Sequence, residues 1–216
     1  MIPFRYHVID PFWPDAELIR AAALAVPPPE HPRWIEYDTP TARKRTLRDP
    51  DALPTPIARL LAELQAQRWV DAVGAWLGID DLRPDPLLRG GALHVMGPGD
   101  FLHAHLDSSI HAVTGLERRA NLILFLSEWM PWWGGELILR GVPGSPESVR
   151  PGISPDIHIL PAANRGVLWE CTEASWHGVA ELRCPADRQR ASLAIYYWSA
   201  PRPGASRRDR AEFAGE

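Results

Sequence analysis

Near Leu87 the hydrophobic pattern of the chain changes period, and that change limits the folds open to it. Before this point apolar residues recur at helical spacing. After it they fall into short alternating or continuous runs bounded by Gly and Pro, as strands do. The candidate strands are Ala92–Met96, Leu102–Leu106, Asn121–Ser127, Glu136–Arg140, Ile157–Leu160, Gly166–Glu170, His177–Leu182 and Ala191–Ser199. Short strands in series with turn signals between them predict a mostly β domain, a sandwich or jelly roll. Asn121–Ser127 is apolar on both faces, which predicts a central strand, and Gly134-Gly135 predicts a tight turn before Glu136.

The first part of the chain reads as a helical layer. Leu18, Ile19, Ala22 and Val26 mark a helix over 15–26, stopped by Pro27-Pro28-Pro29. Leu60, Leu61 and Leu64 mark a second, and Trp69, Val70, Val73, Trp76 and Leu77 a third that Gly78 stops. These helices are expected to buttress the β part. Trp34–Tyr37 is a candidate short strand. Arg43-Lys44-Arg45, with Arg48 close behind, reads either as a solvated surface turn or as part of a mouth for an acidic molecule. The charged stretch from Arg202 to Glu216 has no apolar stripe and is expected to fray. The expected organisation is one domain over residues 1–216, with an N-terminal helical layer (1–86), a β core (87–201) and a tail (202–216).

Composition removes several function classes. A net charge of −4 offers no basic footprint for nucleic acid. No apolar run reaches the ~18 residues of a membrane span. The opening Met1-Ile2-Pro3-Phe4-Arg5 lacks the pattern of a secretory signal, so the expected compartment is the cytoplasm, with Cys171 and Cys184 as free thiols. Oligomeric state is not legible.

The chemistry gathers around Gly90–Asp107, which ends in His105-Leu106-Asp107. On an extended segment residues i and i+2 share a face, so His105 and Asp107 can present an imidazole and a carboxylate to one point. A 2-His-1-carboxylate triad needs a third ligand, and His177 in Ser175-Trp176-His177-Gly178 supplies one. His103 has the same parity, so a His103–His105 pair suited to zinc stays open at this level. In Arg190–Trp198 the period of two puts Arg190, Ser192, Ala194 and Tyr196 on one face. A guanidinium and a hydroxyl there would clamp a carboxylate beside a metal; the other reading of Arg190 is an edge-strand residue facing solvent. His94 is either a pocket residue or a satisfied core histidine. Trp129–Trp133 is either core or an apolar cover over the site.

The order His105-x-Asp107, His177-Gly178, then Arg190 before an apolar strand resembles the Fe(II)/2-oxoglutarate dioxygenases of the prolyl 4-hydroxylase-like group. The resemblance covers roughly Leu87 to Pro201. It implies a double-stranded β-helix core, with His105, Asp107 and His177 as the Fe(2+) ligands and Arg190 as partner of the distal carboxylate of 2-oxoglutarate. Relatives often carry a tyrosine in the central strand to share that carboxylate; here the matching position is Phe125, and Ser192 or Asn121 is expected to supply the missing donor. The implied reaction uses O2 and 2-oxoglutarate to hydroxylate a C–H bond of a small-molecule or peptidyl substrate, prolyl ones included, releasing succinate and CO2. The presence of Asp107 favours hydroxylation over halogenation. The competing reading is a non-catalytic metal-binding β-barrel that senses or binds.

Overall fold

A computed structural model describes residues 1–85, 87–141 and 156–214. In chain order its elements are β1 (Tyr6–Ile9), α1 (Ala16–Leu24), β2 (Ile35–Asp38), β3 (Ala42–Leu47), α2 (Thr55–Leu64), α3 (Gln67–Leu77), β4 (Ala92–Met96), β5 (Phe101–Leu106), β6 (Glu117–Phe125), β7 (Leu137–Leu139), β8 (Ile157–Ile159), β9 (Gly166–Glu170), β10 (His177–Val179), β11 (Arg190–Ser199) and β12 (Glu212–Phe213). All pairs are antiparallel, in the order β1-β9-β6-β11-β4-β3-β5-β10-β7-β8. The sheet curls on itself into a jelly roll, and β3 ties the two halves together by pairing with both β4 and β5.

Every candidate strand after Leu87 is present, and the central strands show why both of their faces are apolar. Leu122 and Leu124 of β6, with Leu193, Ile195 and Tyr197 of β11, pack against Leu18 and Ile19 of α1, Leu60 and Leu64 of α2, and Val70 and Val73 of α3. Their neighbours Ile123, Phe125 and Ala194 turn inward onto Leu137, Leu139, Val167 and Trp169. Each fully buried Leu or Ile contributes roughly 1.5–3 kcal/mol, so the helices fix the outer face of one half of the roll and leave its inner face for the site. The Tyr197 hydroxyl donates to the Leu64 carbonyl at 2.8 Å and locks β11 to α2. Gly78 ends α3 at φ +69°, a left-handed conformation that favours glycine.

The N-terminal part is not helical alone. β1 extends the sheet on β9, and Arg43-Lys44-Arg45 lies inside β3, in register with β2 and β4, so the expectation of a solvated turn is corrected. The expectation that the tail frays is also corrected: β12 pairs with β5, Glu212 opposite Leu106 and Phe213 opposite His105. Ser109 anchors the approach to that strand, with its hydroxyl on the Ser206 carbonyl at 2.7 Å. Charged residues hid this strand because its hydrogen bonds, not an apolar stripe, hold it. Both cysteines are free, and no helix among the described residues is long and apolar enough to cross a membrane.

Candidate metal centre

His105 and His177 face each other across the β5–β10 pair, and Asp107 follows just beyond β5. A bulge decides which side chains of β5 point inward. Val179 lies opposite Leu102 and His177 opposite His105, so β5 spends one more residue than β10 over this interval. Leu102 and His105 therefore share the inner face, while His103 is exposed and rests on Phe101. The His103–His105 zinc pair is thereby excluded by geometry. Gly178 is what lets the bulge close: a Cβ there would stand 2.7 Å from the Leu102 carbonyl oxygen and 3.1 Å from the Ala104 nitrogen.

One nitrogen from each histidine and one oxygen of Asp107 lie within 4.8 Å of one another. The Asp107 oxygens are 3.5 Å from His105 Nε2 and 3.7 Å from His177 Nε2. Each Nδ1 is turned to a backbone carbonyl, His105 to that of His103 at 3.0 Å and His177 to that of Ser175 at 2.9 Å. A ring that donates from Nδ1 keeps its Nε2 lone pair free, so both free lone pairs point at the same place as the carboxylate. Two imidazoles and one carboxylate, half-enclosed and mutually oriented, fit a divalent iron with open positions. Phe213 of the tail strand lies 5.4 Å from the His105 ring and Trp169 4.9 Å from that of His177, bracketing the pair.

Electrostatics favour the metal-binding protonation states of Asp107 and His177. Burial alone would raise the Asp107 pKa, but Arg118 and the two histidines outweigh it and keep the carboxyl well below its ordinary value. Burial, with His105 adding to it, pushes His177 down to about 4. Arg118 was not legible as part of the site. Its Nη1 is 3.0 Å from Asp107 Oδ2 and its Nη2 donates to Ser108 Oγ at 3.1 Å, with the guanidinium 3.7 Å from the Tyr196 ring. It turns inward because β6 carries its own bulge: Tyr197 lies opposite Ala120 but Trp198 opposite Arg118.

Arg190, Ser192 and Tyr196 line the same cavity as the triad, as strand parity predicts. Arg190 is buried, and among the described residues its Nε has no hydrogen-bond partner and its Nη1 finds only the Met96 sulfur at 3.9 Å. Its guanidinium stands 4.8 Å from the Phe125 ring, which takes the place of a hydroxyl donor with a π face. Burial lowers its pKa to about 9, with Glu136 opposing the shift. Asn121, expected beside the distal carboxylate, is at the other end: its amide donates to Asp107 Oδ2 at 3.4 Å, and it stands four residues along β6 from Phe125, about 13 Å. Of the tryptophan loop, Trp129 is buried with Met96, Val179 and Leu182, while Trp132 is 73% exposed, so the loop is part core and part surface.

Comparison with known proteins adds to this geometry. Residues 91–198 match the family described as the 2OG-Fe(II) oxygenase superfamily. Among solved structures the chain is similar to a Pseudomonas putida prolyl-4-hydroxylase, at TM-score 0.65 and 20% identity, covering 92% of this chain and 94% of that one. It is similar to the viral collagen prolyl hydroxylase of Paramecium Bursaria Chlorella virus-1 in complex with 2-oxoglutarate, at TM-score 0.56 and 12% identity, covering 90% and 96%. HygX from Streptomyces hygroscopicus, with nickel, 2-oxoglutarate and hygromycin B bound, gives TM-score 0.56 and 17% identity over 91% and 83%. At these identities the likeness shows the fold. No curated protein sequence matches the chain.

Proposed function

We propose a function from one premise: this chain belongs to the 2OG-Fe(II) oxygenase superfamily. It is a 2-oxoglutarate-dependent dioxygenase whose cofactors are Fe(II), 2-oxoglutarate and O2. The proposed reaction is hydroxylation of an unactivated C–H bond of a small-molecule or peptidyl substrate, with one oxygen atom of O2 entering the C–OH and the other the succinate formed as 2-oxoglutarate loses CO2. Iron and cosubstrate supply the oxidising power when bound. The protein's own part is positional.

In this reading His105 and His177 hold the iron through Nε2 and Asp107 through its carboxylate. The carbonyls of His103 and Ser175 keep both rings in the Nδ1–H tautomer, and Arg118 and Asn121 hold Asp107 so that it does not swing to solvent. Arg190 receives the distal carboxylate of 2-oxoglutarate, with Ser192 beside it on the same face. Because β1 and β3 build into the same sheet as β4–β11, residues 1–216 are read as one catalytic domain.

The observation that carries the proposal is the pairing, in one cavity, of a preoriented His-Asp-His set with a buried guanidinium that has no carboxylate in salt-bridge contact among the described residues. The two solved relatives bound or devoted to different targets, a prolyl hydroxylase and HygX with hygromycin B, leave the substrate class to this chain's own residues. The test is release of succinate and CO2 from 2-oxoglutarate by Fe(II)-loaded protein under air. A protein that takes up Fe(II) and 2-oxoglutarate yet releases no succinate, alone or across a panel of amino acids, peptides and aminoglycosides, contradicts it.

A further inference from the structure

A second cation lines the cavity two strands over from Arg190, across β4. Lys44 lies in β3, whose residues alternate between a face toward the helices, where Leu47 is buried, and a face toward the cavity, where Lys44 lines the wall. Its side chain is half-buried and makes no hydrogen bond or ion pair with the described residues; its Nζ lies 5.4 Å from the ring of Tyr37, its register partner on β2. Tyr37 is 39% exposed, so Lys44 stands between the mouth and the interior. Arg43, its neighbour on the strand, does not share this position, being turned to Asp38 at 3.2 Å.

Counting anions against cations leaves Lys44 without a counterpart. Asp107 is engaged by Arg118 at 3.0 Å and by the two histidines. Of the two carboxylates of 2-oxoglutarate, one goes with the metal and the other with Arg190 in the function proposed above. β3 and β11 flank β4 with Lys44 and Arg190 both at the level of Met96, so their backbones stand two strand spacings apart, about 9.5 Å, which gives each cation room for an anion of its own. Desolvation lowers the Lys44 pKa while Asp107 opposes it, which means the ammonium is held in a half-dry place at a cost that an incoming anion would relieve. A single ammonium on a flexible stem is a point charge suited to a monoanion, unlike the planar fork at Arg190.

We propose that Lys44 anchors a carboxylate of the primary substrate, so that this enzyme acts on a small molecule or chain end bearing a free carboxylate. The inference rests on the cosubstrate placement of the preceding subsection. Lys44 is then a specificity-determining residue, and the basic strand that carries it sets substrate class.

The experiment uses the full chain loaded with Ni(II) and 2-oxoglutarate, which binds without turning over. Binding of matched acid and amide probes is measured by calorimetry: benzoate and benzamide, hexanoate and hexanamide, N-acetyl-L-alanine and its amide, N-acetyl-L-proline and its amide. We expect at least one acid to bind tenfold or more tighter than its amide. In Lys44→Met that preference falls to within twofold, in Lys44→Arg a severalfold preference remains, and 2-oxoglutarate affinity changes by less than about threefold in both. The proposal is overturned if no pair shows a preference in the wild type or if the preference survives Lys44→Met. It is equally overturned if Lys44→Met weakens 2-oxoglutarate tenfold or more, which would give Lys44 to the cosubstrate. Failure of the wild type to load Ni(II) and 2-oxoglutarate at all is a separate result, and it brings down the parent reading first.

Discussion

The two ends of the cavity are built on opposite principles. At the triad end the three candidate ligands are already engaged: each histidine Nδ1 has a carbonyl, Asp107 has Arg118 and Asn121, and aromatic rings bracket both imidazoles, although the Arg118 Nε and the Asn121 Oδ1 find no partner of their own among the described residues. At the Arg190 end a buried guanidinium has a sulfur at 3.9 Å, a π face at 4.8 Å and an Nε with no hydrogen-bond partner among the described residues. A charge left unpaired in the interior costs several kcal/mol unless something arrives to meet it. The first end is therefore prepared for an ion that must be held in one geometry, and the second for an anion that must come and go.

The comparison breaks most completely at Asp107. Asp107→Ala removes the only carboxylate of the set and leaves Arg118 buried without its partner, so Fe(II) content and succinate release are both expected to fall to background in metal analysis and coupled turnover. Arg118→Met keeps the volume and removes the support. Loss of an outer partner of a metal ligand typically costs ten- to a hundredfold, and that weakening is expected in Fe(II) titrations, with 2-oxoglutarate affinity at saturating metal little changed. Ser192→Ala deletes one neutral donor near Arg190 and is expected to raise the 2-oxoglutarate KM about tenfold without altering metal content.

Near neutral pH the smallest expected effect is a stability slope, which grows as the pH falls. Burial, reinforced by Lys44, pushes the His94 pKa down to about 3. Between about pH 6.5 and 3 the unfolded chain therefore holds a proton on this residue that the folded chain lacks, so stability falls as pH drops through the window, by about 1.4 kcal/mol per pH unit for one proton. His94→Asn is expected to flatten the apo-protein's slope in urea melts by about that amount. His177 acts in the same direction down to about 4 and contributes to the slope that remains in His94→Asn, together with the lowered carboxylates of Asp107 and Glu117 at the acid end.

Strand existence was legible because period two, broken by Gly and Pro, is a pattern that little besides a strand produces; the jelly roll and the inward face of Arg190, Ser192 and Tyr196 followed from counting. Counting failed at the bulges. The extra residue in β5 sends His103 out, and the one in β6 brings Arg118 in, yet nothing in the spelling of either segment marks the slip. Bulges gather beside functional sites because they re-aim single side chains, so parity is least trustworthy where it is most wanted. β3 and β12 were hidden for another reason: Arg43-Lys44-Arg45 and the charged tail pair through backbone hydrogen bonds that composition does not reveal.

If the two ends divide the work in this way, the Arg190 end selects the distal carboxylate while the triad end holds the iron and the 2-oxo acid head. That division is tested most directly by anaerobic titration of the Fe(II)-loaded protein with 2-oxoglutarate and with 2-oxobutyrate, which shares the chelating head but lacks the second carboxylate, following the visible charge-transfer band of the chelate. In the wild type 2-oxoglutarate is predicted to bind about a hundredfold tighter or more, since charge-assisted bonds contribute roughly 1.5–3 kcal/mol each. Arg190→Ala is predicted to erase that difference and leave 2-oxobutyrate binding unchanged, whereas Arg188→Ala, exposed and beside Asp187 at 3.6 Å, keeps it. A preference for 2-oxoglutarate that survives Arg190→Ala, or one lost in Arg188→Ala instead, would contradict the account.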